Sequence, residues 1–543
     1  MGHITHNPLL HSPEPRPPSA PVGPNSGGAE PTRPDRSLRL SAWALAALAL
    51  GLAYGQSPLF SSNQNQYFLH GAARAGIGFL AQDWLANTAD PTPVFSWLVE
   101  WTYRLLPPAA FHIEYLLLFA VYLAGLWLLA DSAFGLHTSV RRTLLFLAIV
   151  VVLHSAALRV IQGRLLGETW EYLWDGGVAG QRLLGLVFQP SAFGVFLLLS
   201  LGLFVRGRAA WAVVAAALAA SVHPTYLLPA GILVLAYCLV LWRDERSLRR
   251  PVLLGGFALA LVTPIVLYVI LALGPTSPDR IAEAQQILVH ERVPHHALPA
   301  VWFEATVLVK LALLGLALFV TGTTRLARVL ALAGAAALLL TVLQILTRSD
   351  MLALLFPWRL STVLVPASVG LLAGWCATRG TRAAERLPAN LLRWLTLATV
   401  AVVAALAVFG AVLFAWQTAA QARDPAAPML REVRRRLESG QVYLIPPKLL
   451  EFRLVTGAPA LVDFKAIPYR DVDVLEWRRR LQFSEQFYRE DPAGVDCALL
   501  DELAQDYGVT HVVLDDDLLD LSCPQSREIY RDAHYAVHAL VRP

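Results

Sequence analysis

The chain has 543 residues, 56% of them apolar and only 15% charged, and its mean hydropathy is +0.51. A soluble protein of this length needs more charge to cover its surface, so the composition points to a membrane protein. The net charge of +4 is small and dispersed, which argues against nucleic acid as a partner.

Residues 1–37 are rich in Pro, Gly and Ser and cannot bury apolar surface, so they read as a disordered cytoplasmic N-terminus. Residues 38–420 read as a transmembrane domain of about eleven helices. The first apolar run is Leu40–Leu59. Its Ala53-Tyr54-Gly55 stretch faintly resembles a signal-peptidase site, but the long polar leader and the later spans favour an uncleaved helix. Further spans are expected near 113–134, 143–160, 183–205, 209–222, 226–242, 252–273, 301–320, 329–346, 360–377 and 395–416. Arginine clusters test this reading. Arg33, Arg36 and Arg39, then Arg141 and Arg142, Arg206 and Arg208, Arg243 to Arg250, Arg325 and Arg328, and Arg379 to Arg393 all fall on one side if the N-terminus is inside. Basic residues are almost all Arg, as a GC-rich bacterial genome would give. The expected location is therefore a bacterial inner (cytoplasmic) membrane, N-terminus inside and C-terminus outside.

From about Pro425 the composition turns charged, with turn signals. Strand-like runs at 442–445, 460–464 and 511–514 alternate with helical patterns at 429–437, 474–483 and 499–507. Residues 421–543 thus read as an extracytoplasmic α/β domain. Its two cysteines, Cys497 and Cys523, could pair in an oxidising compartment, whereas Cys238 and Cys376 lie in apolar spans. No Cys/His metal spacing is present.

Polar residues concentrate in the outer loops, where a protein of this shape does its work. The first loop, residues 60–112, holds Asn63, Gln64, Tyr67 and His70, then the acids Asp83 and Asp90, and has amphipathic stretches at 67–79 and 94–105. Ionisable groups at a membrane face are functional candidates, although Asp83 could equally cap a helix and Asp90 open an Asp-Pro-Thr-Pro turn. The second loop supplies Glu168, Glu171 and Asp175. The fourth places His290, Arg292, His295 and His296 close together, a set suited to phosphate because guanidinium is always charged and bidentate. Arg359 stands at the membrane mouth of the 360–377 span, where it needs an anionic partner or must snorkel to headgroups. Arg453, Asp463 and Lys465 lie at strand ends in the outer domain, a common ligand position or a salt-bridged fold element.

The first loop resembles the GT-C class of membrane glycosyltransferases, which use polyprenyl-phosphate sugars. Tyr67 matches the Tyr of an Asp-Glu-x-x-Tyr motif after the first span, and Asp83-Trp84-Leu85 with Asp90-Pro91-Thr92-Pro93 match the segment that follows. Asn63-Gln64 stand where the acidic pair would be, and an amide cannot act as a general base. The resemblance implies a GT-C-like fold. It also implies transfer of a sugar from a polyprenyl-phosphate donor to an envelope glycan, lipid or protein acceptor, with membrane lipids as surroundings. Asp83, Asp90 and Glu168 become the candidate catalytic acids. Asn63, Gln64, Tyr67, His70, Arg292, His295, His296 and Arg359 become the candidate substrate-binding residues. A divalent metal ion is the one cofactor to consider, its ligands unassigned. The alternative is a non-catalytic carrier-binding or assembly protein, or a transporter, on the same scaffold.

Overall fold

The computed structural model describes residues 36–489, 497–516 and 521–541. The segment expected to be disordered thus lies outside the described residues up to position 35. From Trp43 onward the chain forms one compact unit.

The protein is a polytopic helical membrane protein. Among the described residues six helices are long and apolar enough to cross a membrane, and the bent pair Val140–His154 and Ala156–Leu166 makes a seventh. Four shorter apolar helices, Ser41–Tyr54, Pro190–Val205, Ala209–Val222 and Ala305–Thr321, occupy the other positions expected from hydropathy. The 45° bend comes at Ser155, whose extended backbone breaks the helix and whose Oγ accepts the Leu158 N–H to start the next one. Two boundaries differ from expectation. Residues 183–189 are not helical, because Gln189 is extended and Pro190 opens the helix. Likewise the expected 301–320 span begins only at Ala305, after an extended Glu304.

Packing ranks the helices. Of the Asp350–Ala384 segment's most apolar stretch 78% is buried, against 6% for Arg249–Leu273 and for Ala389–Ala422, so the first is central and the other two face lipid. Small residues bring the central helix close to Ala110–Phe134: a Cβ on Gly374 would lie 2.8 Å from that of Ala130, and one on Gly370 2.8 Å from the Leu126 side chain.

The C-terminal region carries a mixed sheet of β1 (Tyr443–Leu444), β2 (His511–Leu514), β3 (Ser526–Arg531) and β4 (Ala536–Leu540), in the order β1-β2-β4-β3. β1 and β2 are parallel, and the other pairs are antiparallel. The helices Ala426–Arg436, Asp471–Phe487 and Cys497–Asp506 pack around it near the positions read from sequence. The expected 460–464 strand reduces to one bridge, Tyr443 to Ala460. Asp463 turns the chain there, its Oδ1 accepting the N–H groups of Lys465 and Ala466, both at 2.7 Å. The β3–β4 hairpin was not expected. Cys497 and Cys523 are disulfide-bonded with Cα atoms 5.6 Å apart, and Cys238 and Cys376 are free.

This region sits directly on the 60–112 loop. Gly78 and Gly457 meet back to back, and a Cβ on Gly78 would lie 2.4 Å from the Gly457 carbonyl oxygen. Phe79 donates its N–H to that oxygen at 2.8 Å. Both glycines have left-handed φ, +52° and +78°, so each position requires the absence of a side chain twice over.

Candidate functional site

Four segments far apart in sequence bring cations to one place. Arg359 lies in the Pro357–Leu360 turn that opens the central helix. Its guanidinium donates to Gln181 Oε1 at 3.4 Å, to His223 Nε2 at 3.2 Å and to Thr225 Oγ1. Arg292 donates to the Lys465 carbonyl oxygen at 2.9 Å and covers the Phe464 ring at 4.7 Å. Tyr67 joins the two: its ring is 5.8 Å from that of His223, and it lies in the fields of both Arg359 and Arg292. Lys465 feels Arg292 and Arg182, and Arg182 stacks on Tyr172 at 3.7 Å. Among the described residues, none of Arg182, Arg292, Arg359 and Lys465 forms an ion pair with a carboxylate.

The hydrogen-bond inventory of this cluster is one-sided. Because Arg359 donates to His223 Nε2, that nitrogen must carry the lone pair, and the proton sits on Nδ1. Because Arg359 also donates to Gln181 Oε1, the Gln181 amide presents Nε2. His223 Nδ1, Gln181 Nε2 and Arg292 Nε are all buried and have no partner among the described residues. Buried donors without acceptors are rare, and several at one cationic cluster call for an anionic ligand rich in oxygen.

Electrostatics agree. Burial, and then Arg359, hold His223 well below the usual imidazole range. Burial and neighbouring charge push His296 down to about 3 while its Nδ1–H donates to the Ala179 carbonyl oxygen at 2.6 Å. His295 is lowered by burial and then by Arg292 and Lys465. Lys465 is lowered by burial and then by Arg292. The backbone is strained at the same place: Phe356, just before the Arg359 turn, has φ +47°, and Ala179 has φ +58°.

The candidate acids lie elsewhere. Asp83 is 0% exposed and its carboxylate is fully committed. Oδ1 accepts the Leu85 N–H at 2.9 Å, and Oδ2 accepts Arg453 Nε at 2.7 Å and the Ala460 N–H at 2.9 Å. Arg453 also binds Asp463, whose other oxygen holds the turn that carries Lys465. Burial works against the charge on Arg453, but Asp83 and Asp463 outweigh it and its pKa is raised. In this structure the Asp83 carboxylate anchors the first loop to the region around Arg453 and Ala460. Asp90 is a capping and pairing residue: Oδ1 accepts the Thr92 N–H and Ser96 Oγ–H, and Oδ2 pairs with Arg74 at 3.2 Å. Glu168 is exposed on a short turn beyond the 156–166 helix, without a contact to the cluster among the described residues.

Of the candidate binding residues, Tyr67, Arg292, His295, His296 and Arg359 belong to the cluster. Gln64 instead braces its own loop, accepting the Phe60 N–H at 2.8 Å and donating to the Phe188 carbonyl oxygen at 3.3 Å. Asn63 contributes its carbonyl oxygen to the Gln66 and Tyr67 N–H groups, and His70 lies buried 3.3 Å from the Thr88 carbonyl oxygen. Arg182 and Gln181 carry no local motif, and the His223-Pro224-Thr225 turn reads from sequence as structural rather than as part of a site. Among the described residues no three His, Cys, Asp or Glu side chains gather to hold a metal ion.

Residues 425–483 match a family model described as a domain of unknown function, DUF6798. That stretch contains Arg453, Asp463 and Lys465. No curated protein matches the chain. The fold is similar to the crystal structure of ArnT from Cupriavidus metallidurans bound to undecaprenyl phosphate, with a TM-score of 0.49 and 15% identity over 93% of this chain and 99% of that one. It is similar also to the apo structure of the same protein, with a TM-score of 0.48 and 16% identity over the same shares.

Proposed function

We propose that the chain is a membrane glycosyltransferase that grips the phosphate of a polyprenyl-phosphate sugar and transfers the sugar to an envelope acceptor on the outer face. The observation that carries this reading is the convergence of Arg182, Arg292, Arg359 and Lys465 with buried, unmatched donors. An anionic phosphate group, its prenyl tail left in lipid, has the acceptors that such donors lack. In the transfer, the acceptor oxygen attacks the anomeric carbon and the bond from that carbon to the phosphate oxygen breaks. The charge that grows on the departing phosphate is met by guanidinium groups already in place. The acceptor proton goes to a neutral base, and His295, whose pKa is lowered by burial and then by Arg292 and Lys465, fills that role in place of the buried Asp83. No step is assigned to a metal ion.

A second reading, carrier binding without transfer, is favoured by one observation: Asn63-Gln64 replace the acidic pair, and Asp83 and Asp90 are held in structural contacts. Lipid-linked sugar pools compared between a deletion strain and its parent separate the two. Accumulation of one polyprenyl-phosphate sugar supports transfer, and unchanged pools with retained carrier binding support the second reading.

A further inference from the structure

A cavity opens at the end of the first helix and is lined by Tyr172, the ring that carries Arg182. Its volume is about 170 Å³, and it is lined by Gln56, Arg159, Glu171, Tyr172, Leu413 and Gln417 among others. Arg159 is only 8% exposed. It donates to the Tyr54 carbonyl oxygen at 2.6 Å and lies over the rings of Tyr54 and Tyr172 at 4.8 and 5.3 Å. Glu171 folds back over the preceding helix, where a Cβ on Gly163 would come within 2.6 Å of its carboxylate oxygen. The glycine makes the room that Glu171 occupies.

Arg159 and Glu171 line one small cavity, yet they do not pair with each other, and among the described residues neither forms an ion pair. Asp175, whose charge reaches Tyr54 together with that of Arg159, is held by the Tyr54 hydroxyl at 2.9 Å, so Arg159 lacks a direct ion-pair partner that an anionic ligand group would supply. A purely anionic ligand would answer Arg159 and be repelled by Glu171. A head group bearing both signs answers both. We infer that this cavity is a lipid subsite for a zwitterionic head group of the phosphoethanolamine kind, its phosphate on Arg159 and its ammonium on Glu171. The acyl chains leave along Leu413, on the helix whose most apolar stretch is only 6% buried and therefore faces lipid. This inference does not depend on sugar transfer.

The test is lipid retention by the full-length protein in detergent, read by native mass spectrometry after exposure to phosphatidylethanolamine or phosphatidylglycerol of matched chains. Wild type should keep the ethanolamine lipid over the glycerol lipid. Glu171→Gln, a change at a partly exposed side chain, should erase that preference by roughly tenfold, the scale of one hydrogen bond to a charged group. Arg159→Met should lower retention of both lipids, and its circular dichroism spectrum checks that it folds. Equal retention of the two lipids by wild type, or an unchanged preference in Glu171→Gln, overturns the inference.

Discussion

Arg453 and Asp83, 370 residues apart in sequence, form a buried ion pair, Nε to Oδ2 at 2.7 Å. The pair ties the 60–112 loop to the C-terminal sheet region. Through Asp463 it also sets the turn that carries Lys465 to the cation cluster. Breaking a buried pair strands a charge, which costs about 3–5 kcal/mol. Asp83→Asn should therefore lower the thermal unfolding midpoint of the purified protein markedly, and Arg453→Met should do the same. An Asp83→Asn protein that melts like wild type but has lost transfer would restore Asp83 to a catalytic role.

His295 is the proposed proton acceptor, so His295→Gln should lower turnover at least 100-fold, the lower end of what a general base contributes, with carrier affinity little changed. Steady-state kinetics separating kcat from KM check this. Equal losses in both would make His295 a binding residue.

Imidazole protonation sets a pH dependence of stability. His296 titrates at about 3 in the folded protein, below the ordinary 6.5 of the unfolded chain. A depressed value means its contribution is complete above pH 6.5 and drains away as the pH falls from 6.5 toward 3. His511, lowered to about 4 by burial, acts with the same sign. Unfolding midpoints measured from pH 7.5 to 4.5 should fall, and His296→Gln should flatten the slope. A slope unchanged in the variant would remove His296 as its source.

Hydropathy made the helical framework legible, because lipid demands long apolar runs. The broken span at Ser155 and the late helix start at Pro190 were less legible, since both depend on single backbone positions within apolar sequence. Arg292 and Arg359 stood out because a cation at a membrane face has few other uses. Asp83 looked catalytic for the same reason, but its partner lies across 370 residues, and a paired acid and a free acid read identically in one sequence. Arg182 gave no local sign, and His223 stood before a Pro-Thr turn that reads as structural: only packing brings them to Arg359 and Lys465.

The disulfide between Cys497 and Cys523 closes a segment with a sequence separation of 26 residues. A loop of that length is worth about 3–4 kcal/mol by the chain-entropy relation. Replacing both cysteines by Ser should lower the unfolding midpoint, and an alkaline-phosphatase fusion at the C-terminus should be active, because such a bond persists in an oxidising compartment. An inactive phosphatase with a bright fluorescent-protein fusion would put the region on the cytoplasmic side.

The central claim is that the cluster of Arg182, Arg292, Arg359 and Lys465 holds a lipid phosphate. Binding of a polyprenyl phosphate and of the matching polyprenol to the purified protein, compared by native mass spectrometry, tests it most directly. The account predicts that wild type retains the phosphate and not the alcohol. Arg359→Gln and Lys465→Met should each weaken retention roughly tenfold, the scale of one hydrogen bond to a charged group. Equal binding of phosphate and alcohol, or wild-type retention in both variants, would contradict it.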